Sequence, residues 1–138
     1  SLYEVARLCA RLGRPEGEVV RAFLRAYESR PSRAESMCQL AAYLRERGSP
    51  AAAYPFAKVA SETPRPEDTL FLDDSVYAWR ARDELAVAAY WTGHHREALT
   101  AGEQLLSGRA LPDGERERVK KNLEFSRAKV PAVRKKGE

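Results

Sequence analysis

At 138 residues, 43% of them hydrophobic and 32% charged, the chain is long enough for one domain with one core. No apolar run reaches the ~18 residues that would span a membrane, and no secretory signal marks the start. The net charge of +4 is uneven: residues 115–138 hold nine Lys/Arg against four Asp/Glu, and the remainder is close to neutral.

The pattern along the chain predicts seven helices. The first spans about 2–12, on the apolar positions Leu2, Val5, Ala6, Leu8, Cys9 and Leu12. Gly13 ends it, because a helix closes most easily on a residue free to turn left-handed. The period is already running at Ser1 and there is no initiator Met, which reads as a cut through a larger protein. Pro15 opens the second helix at its first position, where a missing N–H costs nothing. Val19, Val20, Phe23, Leu24, Ala26 and Tyr27 form its apolar stripe, and Pro31 stops it.

Ser32-Arg33-Ala34-Glu35 has the form of a capping box for the third helix, which carries Met37, Leu40, Ala41 and Leu44. Gly48 closes it and Ser49-Pro50 opens the fourth. Pro55 falls inside that fourth helix and predicts a kink there, or a helix that effectively begins near Tyr54. Ser61–Asp74 breaks the period, and Leu70, Phe71 and Leu72 are expected to pin this loop to the core.

The fifth helix, about 75–92, is the most apolar, with Val76, Trp79, Leu85 and Ala86 through Trp91. Gly93 ends it. The sixth, about 95–107, buries Ala98, Leu99, Leu105 and Leu106. Asp113 is expected to cap the seventh, about 114–129, whose Val119, Leu123, Phe125 and Val130 would cover the end of the fold. Residues 1–130 thus read as one domain, and 131–138 as a disordered basic tail.

One unit recurs. A small-residue helical stripe, a Gly turn, a second stripe and a Pro appear as Ala6…Gly13…Ala26…Pro31, Ala41…Gly48…Ala60…Pro64 and Ala86…Gly93…Ala98…Pro112. The Gly-to-Gly spacing is 35 and then 45, so about ten residues are inserted in the second interval. Recurrence at this period predicts an all-α solenoid of about three antiparallel helix pairs with a C-terminal capping helix. Alanine at a helix contact lets two backbones approach where a larger side chain would splay them.

This spacing resembles the tetratricopeptide repeat. The family's bulky aromatic at the start of each unit is missing, with Met37 and Arg82 in those places. The runs Val76–Leu85, Ala89–Gly93 and Arg25–Glu35 are similar to the helical region attached to bacterial family 2 glycosyltransferases. That likeness implies a parent enzyme whose nucleotide-sugar domain, with its Asp-x-Asp metal motif, precedes Ser1. Asp73-Asp74 lacks the spacing of that motif.

Candidate chemistry is sparse. His94-His95, the only histidines, sit at a turn with no third ligand nearby in sequence, which favours a solvated turn with His95 partly packed over a metal site. No Ser lies in a Gly-x-Ser-x-Gly setting, and no Gly-rich phosphate loop exists. No cofactor and no catalysis are expected of this chain. Cys9 and Cys38 form no Cys-x-x-Cys pair and read as reduced, packed thiols of a cytoplasmic protein; a disulfide between them would need two facing helices.

In the repeat family, the first helix of each unit lines a concave face. Counted from each Gly turn, that face would carry Tyr3, Arg7, Ala10 and Arg11, then Cys38, Ala42, Arg45 and Glu46, then Arg80, Asp83, Val87, Tyr90 and Trp91. Arginine and aromatic residues dominate binding hot spots, so a protein or peptide partner, or self-association, is the expected use. Tyr90 and Trp91 would alternatively pack against the capping helix. The family's carboxylate clamp uses Lys and Asn where this chain has Cys38 and Ala42. A second possibility is contact with nucleic acid or an anionic surface through Lys120-Lys121 and Arg134-Lys135-Lys136; without interleaved aromatics or a known module, nucleic acid is the weaker expectation.

Overall fold

The computed structural model describes residues 1–68 and 70–131. Among these residues the chain is all-α, with seven helices and no strand: α1 Leu2–Arg11, α2 Glu16–Ser29, α3 Glu35–Glu46, α4 Pro50–Glu62, α5 Ala81–Trp91, α6 His95–Ser107 and α7 Asp113–Lys129. One π-helical turn, Val76–Arg80, leads into α5. No helix among the described residues is long and apolar enough to cross a membrane. The basic tail expected after Pro131 falls outside the described residues.

Three turns share one chemistry. Gly13, Gly48 and Gly93 have φ of 71°, 81° and 80°, a region that costs an L side chain energy and glycine none. In each, the next residue's N–H reaches back five residues: Arg14 to Cys9 O at 3.1 Å, Ser49 to Leu44 O at 2.9 Å and His94 to Ala89 O at 2.8 Å. These bonds satisfy carbonyls that the helix end leaves open. The glycines therefore end α1, α3 and α5 and turn the chain into α2, α4 and α6.

Each helix packs on the next, from α1 on α2 to α6 on α7. The odd helices also touch one another, α1 with α3, α3 with α5 and α5 with α7. Small residues fill these contacts: Ala6, Ala41, Ala53, Ala57, Ala60, Ala89 and Ala98 are all buried. Around them lie Val19, Phe23, Met37, Leu40 and Val76 in the larger cluster, with Leu105, Leu111 and Val119 in a second. Fully burying a Phe or Leu side chain is worth roughly 1.5–3 kcal/mol, so this core sets the order of the helices.

Several local expectations fail for physical reasons. Ser32 does not cap α3, whose first turn has no side-chain cap from its own strand of sequence. The Tyr77 hydroxyl takes that place: it accepts the Ala34 N–H at 2.9 Å and donates to the buried Glu35 carboxylate. Asp113 does not cap α7 either; it lies inside the first turn, with its carboxylate toward Arg116 at 3.6 Å. The fourth helix begins at Pro50 rather than near Tyr54, and it runs through Pro55, whose ring is exposed.

The inserted loop is held by charge rather than by apolar contact. Leu70 is 66% and Phe71 90% exposed, and only Leu72 is half-buried. The buried Arg33 donates to Leu70 O at 2.9 Å and faces Asp68 at 3.5 Å, while Arg65 grips Asp74 at 2.5 Å. Phe125, expected to help close the end of the fold, is instead 51% exposed.

Candidate interaction groove

The odd helices carry a run of adjoining clefts. A cleft of about 320 Å³ lies between α1 and α3, lined by Arg7, Ala10, Arg11, Gln39, Tyr43, Glu46 and Arg47. Gln39 and Glu46 also line a second cleft of about 480 Å³, which brings in Ala42, Arg45, Arg80, Asp83, Glu84, Val87, Arg118 and Asn122. Asp83, Val87 and Asn122 pass on into a third, of about 300 Å³, bounded by Tyr90, Trp91, Gly102, Leu123 and Phe125. Shared walls make one surface running across α1, α3, α5 and α7.

The middle of this surface is ordered by ion pairs. Arg45 reaches Glu84 with two bonds of 2.8 and 3.0 Å. Arg118 reaches Asp83 with two of 2.8 and 3.1 Å, and also Glu115 at 2.9 Å. Arg80 donates to Asp73 and to Gln39, both at 3.2 Å. The forked bond that Arg45 donates to Glu84 holds its guanidinium above its ordinary pKa. Two-pronged arginine–carboxylate contact fixes direction as well as charge. Each arginine here is answered by a carboxylate, so the middle of the groove presents fixed dipoles rather than a net positive field.

The third cleft differs. It is mostly apolar, its wall at α6 is made of the small Ala98 and the side-chain-free Gly102, and its rim carries Trp91 at 63% exposure and the half-exposed Phe125. The Tyr90 ring meets Trp91 edge-on at 5.5 Å and His95 at 5.3 Å.

The structure brings Arg7, Ala10, Arg11, Ala42, Arg45, Glu46, Arg80, Asp83, Val87, Tyr90 and Trp91 to these clefts. Two expected residues are elsewhere. Cys38 is fully buried, and loss of water pushes its thiol up to about 12. Tyr3 is half-buried against Phe23 at 6.5 Å, with Arg7 over its ring at 5.6 Å; burial pushes its phenol up to about 12. The count from the Gly turn missed Gln39 and Glu84 on the helices it did consider. It also missed Glu115, Arg118 and Asn122, because the concave face was counted only on the first helix of each pair, which leaves α7 out. The signal for Arg118 lay in its charge: a long cation two turns into the last helix finds Asp83 across the interface.

Elsewhere the polar groups are structural in geometry. His94 stacks on Tyr54 at 4.5 Å and 5°, and its Nδ1 lies 2.8 Å from Thr92 Oγ1. Tyr54 and Lys58 both donate to Glu97. Burial raises the Glu97 carboxyl, but the bonds from Lys58 and Tyr54 outweigh it and hold the group below its ordinary value. Among the described residues no three His, Cys, Asp or Glu side chains are grouped to hold a metal ion. Both cysteines are free thiols.

The described cations of α7 are largely engaged. Arg116 donates to Leu106 O at 3.1 Å and Gly108 O at 3.0 Å, Lys120 faces Glu117 at 3.6 Å and Arg127 faces Glu103 at 3.9 Å. Arg134, Lys135 and Lys136 lie outside the described residues. Comparison with known proteins finds no matching family model, no matching curated protein and no matching solved structure.

Proposed function

We propose that this chain is a tetratricopeptide-like α-solenoid of three antiparallel helix pairs closed by α7, and that it serves as a non-catalytic interaction scaffold. Its partner is a protein or peptide lying along the face made by α1, α3, α5 and α7. The observation that carries this reading is the sharing of walls between the three clefts, which gives an extended track rather than an isolated pocket. Such a track suits a chain with repeating polar groups and one apolar anchor: the anchor fits beside Trp91 and Phe125, and the forked ion pairs of Arg45 and Arg118 set its direction. The resemblance of Val76–Leu85 and Arg25–Glu35 to helical regions of bacterial family 2 glycosyltransferases supports a place beside such an enzyme.

Affinity capture from cells with the wild type, Arg45→Ala and Trp91→Ala tests the track. Lost association in both variants, with far-ultraviolet circular dichroism unchanged, supports the reading. Association that survives both substitutions contradicts it.

A further inference from the structure

The apolar cleft between α5, α6 and α7 stays open at a cost to the fold. Gly102 lies inside α6, where glycine is about 1 kcal/mol less favourable than alanine. A Cβ there would meet Leu123 Cδ1 at 3.0 Å and turn that methyl toward the cleft. Ala98, one turn earlier, keeps the same wall low. Tyr90 supplies an aromatic wall that is already in place: its ring meets Trp91 at 5.5 Å and His95 at 5.3 Å. A wall fixed in advance costs a ligand no ordering on entry.

α7 adds unpaired polar groups to this apolar space. Asn122 and Ser126, four residues apart, share one face of α7 and both line the cleft. Ser126 is only 3% exposed, yet its hydroxyl has no hydrogen-bond partner among the described residues. The Asn122 side chain has none either. The Asp83 carboxylate, also at the cleft, is already held by Arg118. A polar group withdrawn from water and left unbonded costs about 1–3 kcal/mol. A hydrocarbon occupant would leave Ser126 in that state; a ring with an N–H at its edge would not.

We propose that this cleft binds one planar aromatic ring system with a single N–H at its edge, the indole of a tryptophan on the partner. At about 300 Å³ it matches the smallest ligand pockets, so it takes one fused ring and no more. Indole N–H is a donor only, and Ser126 Oγ and the Asn122 side-chain oxygen are both acceptors. The ring faces meet Tyr90, Val87 and Leu123. The identity of the partner residue rests on the scaffold reading above, whereas the site itself accepts the free ring.

Nuclear magnetic resonance of the isotope-labelled 138-residue chain, titrated with indole, tests the site. Indene, the same rings with carbon in place of N–H, is the control. Indole shifts amide signals of α5, α6 and α7 saturably, with Kd of about 1 mM or tighter, and binds more tightly than indene. Ser126→Ala weakens indole roughly 3- to 10-fold and leaves indene unchanged. Gly102→Ala weakens both by at least roughly 10-fold, because one methyl's volume is lost from the pocket. No saturable shift at about 10 mM indole overturns the proposal. So does indene that binds as tightly as indole, or indole affinity indifferent to Gly102→Ala. A chain that takes no indole but loses its cellular partner on Arg45→Ala and Trp91→Ala refutes this site and leaves the scaffold reading standing.

Discussion

Removing one oxygen from Tyr77 is expected to loosen the join between the inserted segment and α3. The hydroxyl accepts the Ala34 N–H at 2.9 Å and donates to Glu35. Ala34 is 1% and Glu35 6% exposed, so neither gains water freely when the hydroxyl goes. Tyr77→Phe keeps the ring and opens no cavity, which confines the loss to polar atoms. A buried donor or acceptor left without a partner costs about 1–3 kcal/mol, and two are affected here. Glu35 keeps Arg33 at 3.3 Å, and Tyr77 is only half-buried, so both losses fall in the lower part of that range. The sum is about 2–3 kcal/mol. Urea unfolding followed by circular dichroism reads it as a lower midpoint at unchanged slope. A loss under about 0.5 kcal/mol would mean that the tyrosine does not cap α3, and the reasoning would fall.

Three further outcomes follow from local geometry. Phe71 holds φ of 58° at 90% exposure, so Phe71→Gly removes left-handed strain and almost no burial. After the entropy of the added glycine, a net gain of about 0.5 kcal/mol is expected in the same urea assay, and a loss above about 1 kcal/mol would reveal a hidden contact. A Cβ on Gly102 meets Leu123 Cδ1 at 3.0 Å, but that methyl borders the open apolar cleft and has room to turn. Gly102→Ala is therefore expected to raise stability through helix propensity, by up to about 1 kcal/mol, read as a higher melting temperature, and a lower one would show Leu123 to be locked. Glu97 is held below its ordinary pKa when folded, so its contribution is full at neutral pH and is lost as pH falls below the usual carboxylate range. Lys58→Met should flatten that acid limb of a stability–pH curve; an unchanged limb would remove the Tyr54–Lys58–Glu97 cluster from the account.

How far the sequence could be read depended on whether a residue's role is set locally. Gly13, Gly48 and Gly93 announce their turns because one backbone region is involved, and all three take it. The alanines at helix contacts follow the helical period and are buried as that period requires. What failed was set across the chain. Ser32 and Asp113 have the right type for a cap, but Tyr77 reaches Ala34 from 43 positions away, and Pro112 already occupies the residue before α7. Leu70 and Phe71 are apolar, yet Arg33 fixes the loop through the backbone of Leu70 and leaves both side chains outside. In the groove, position along each odd helix was legible to within a residue, which is why Cys38 faces inward while Gln39 and Ala42 line the cleft. The register gave no sign that α7 supplies Arg118.

The claim beneath all of this is that α3, α5 and α7 lie side by side and build one face. Double-mutant cycles on Arg45/Glu84 and Arg118/Asp83 test it directly, because each pair bridges two of these helices. Arg45 and Arg118 are each more than a third exposed, so solvent screening holds the expected coupling to about 0.5–1 kcal/mol per pair. Coupling in both cycles is the predicted result; additivity in both, within about 0.3 kcal/mol, would contradict the arrangement.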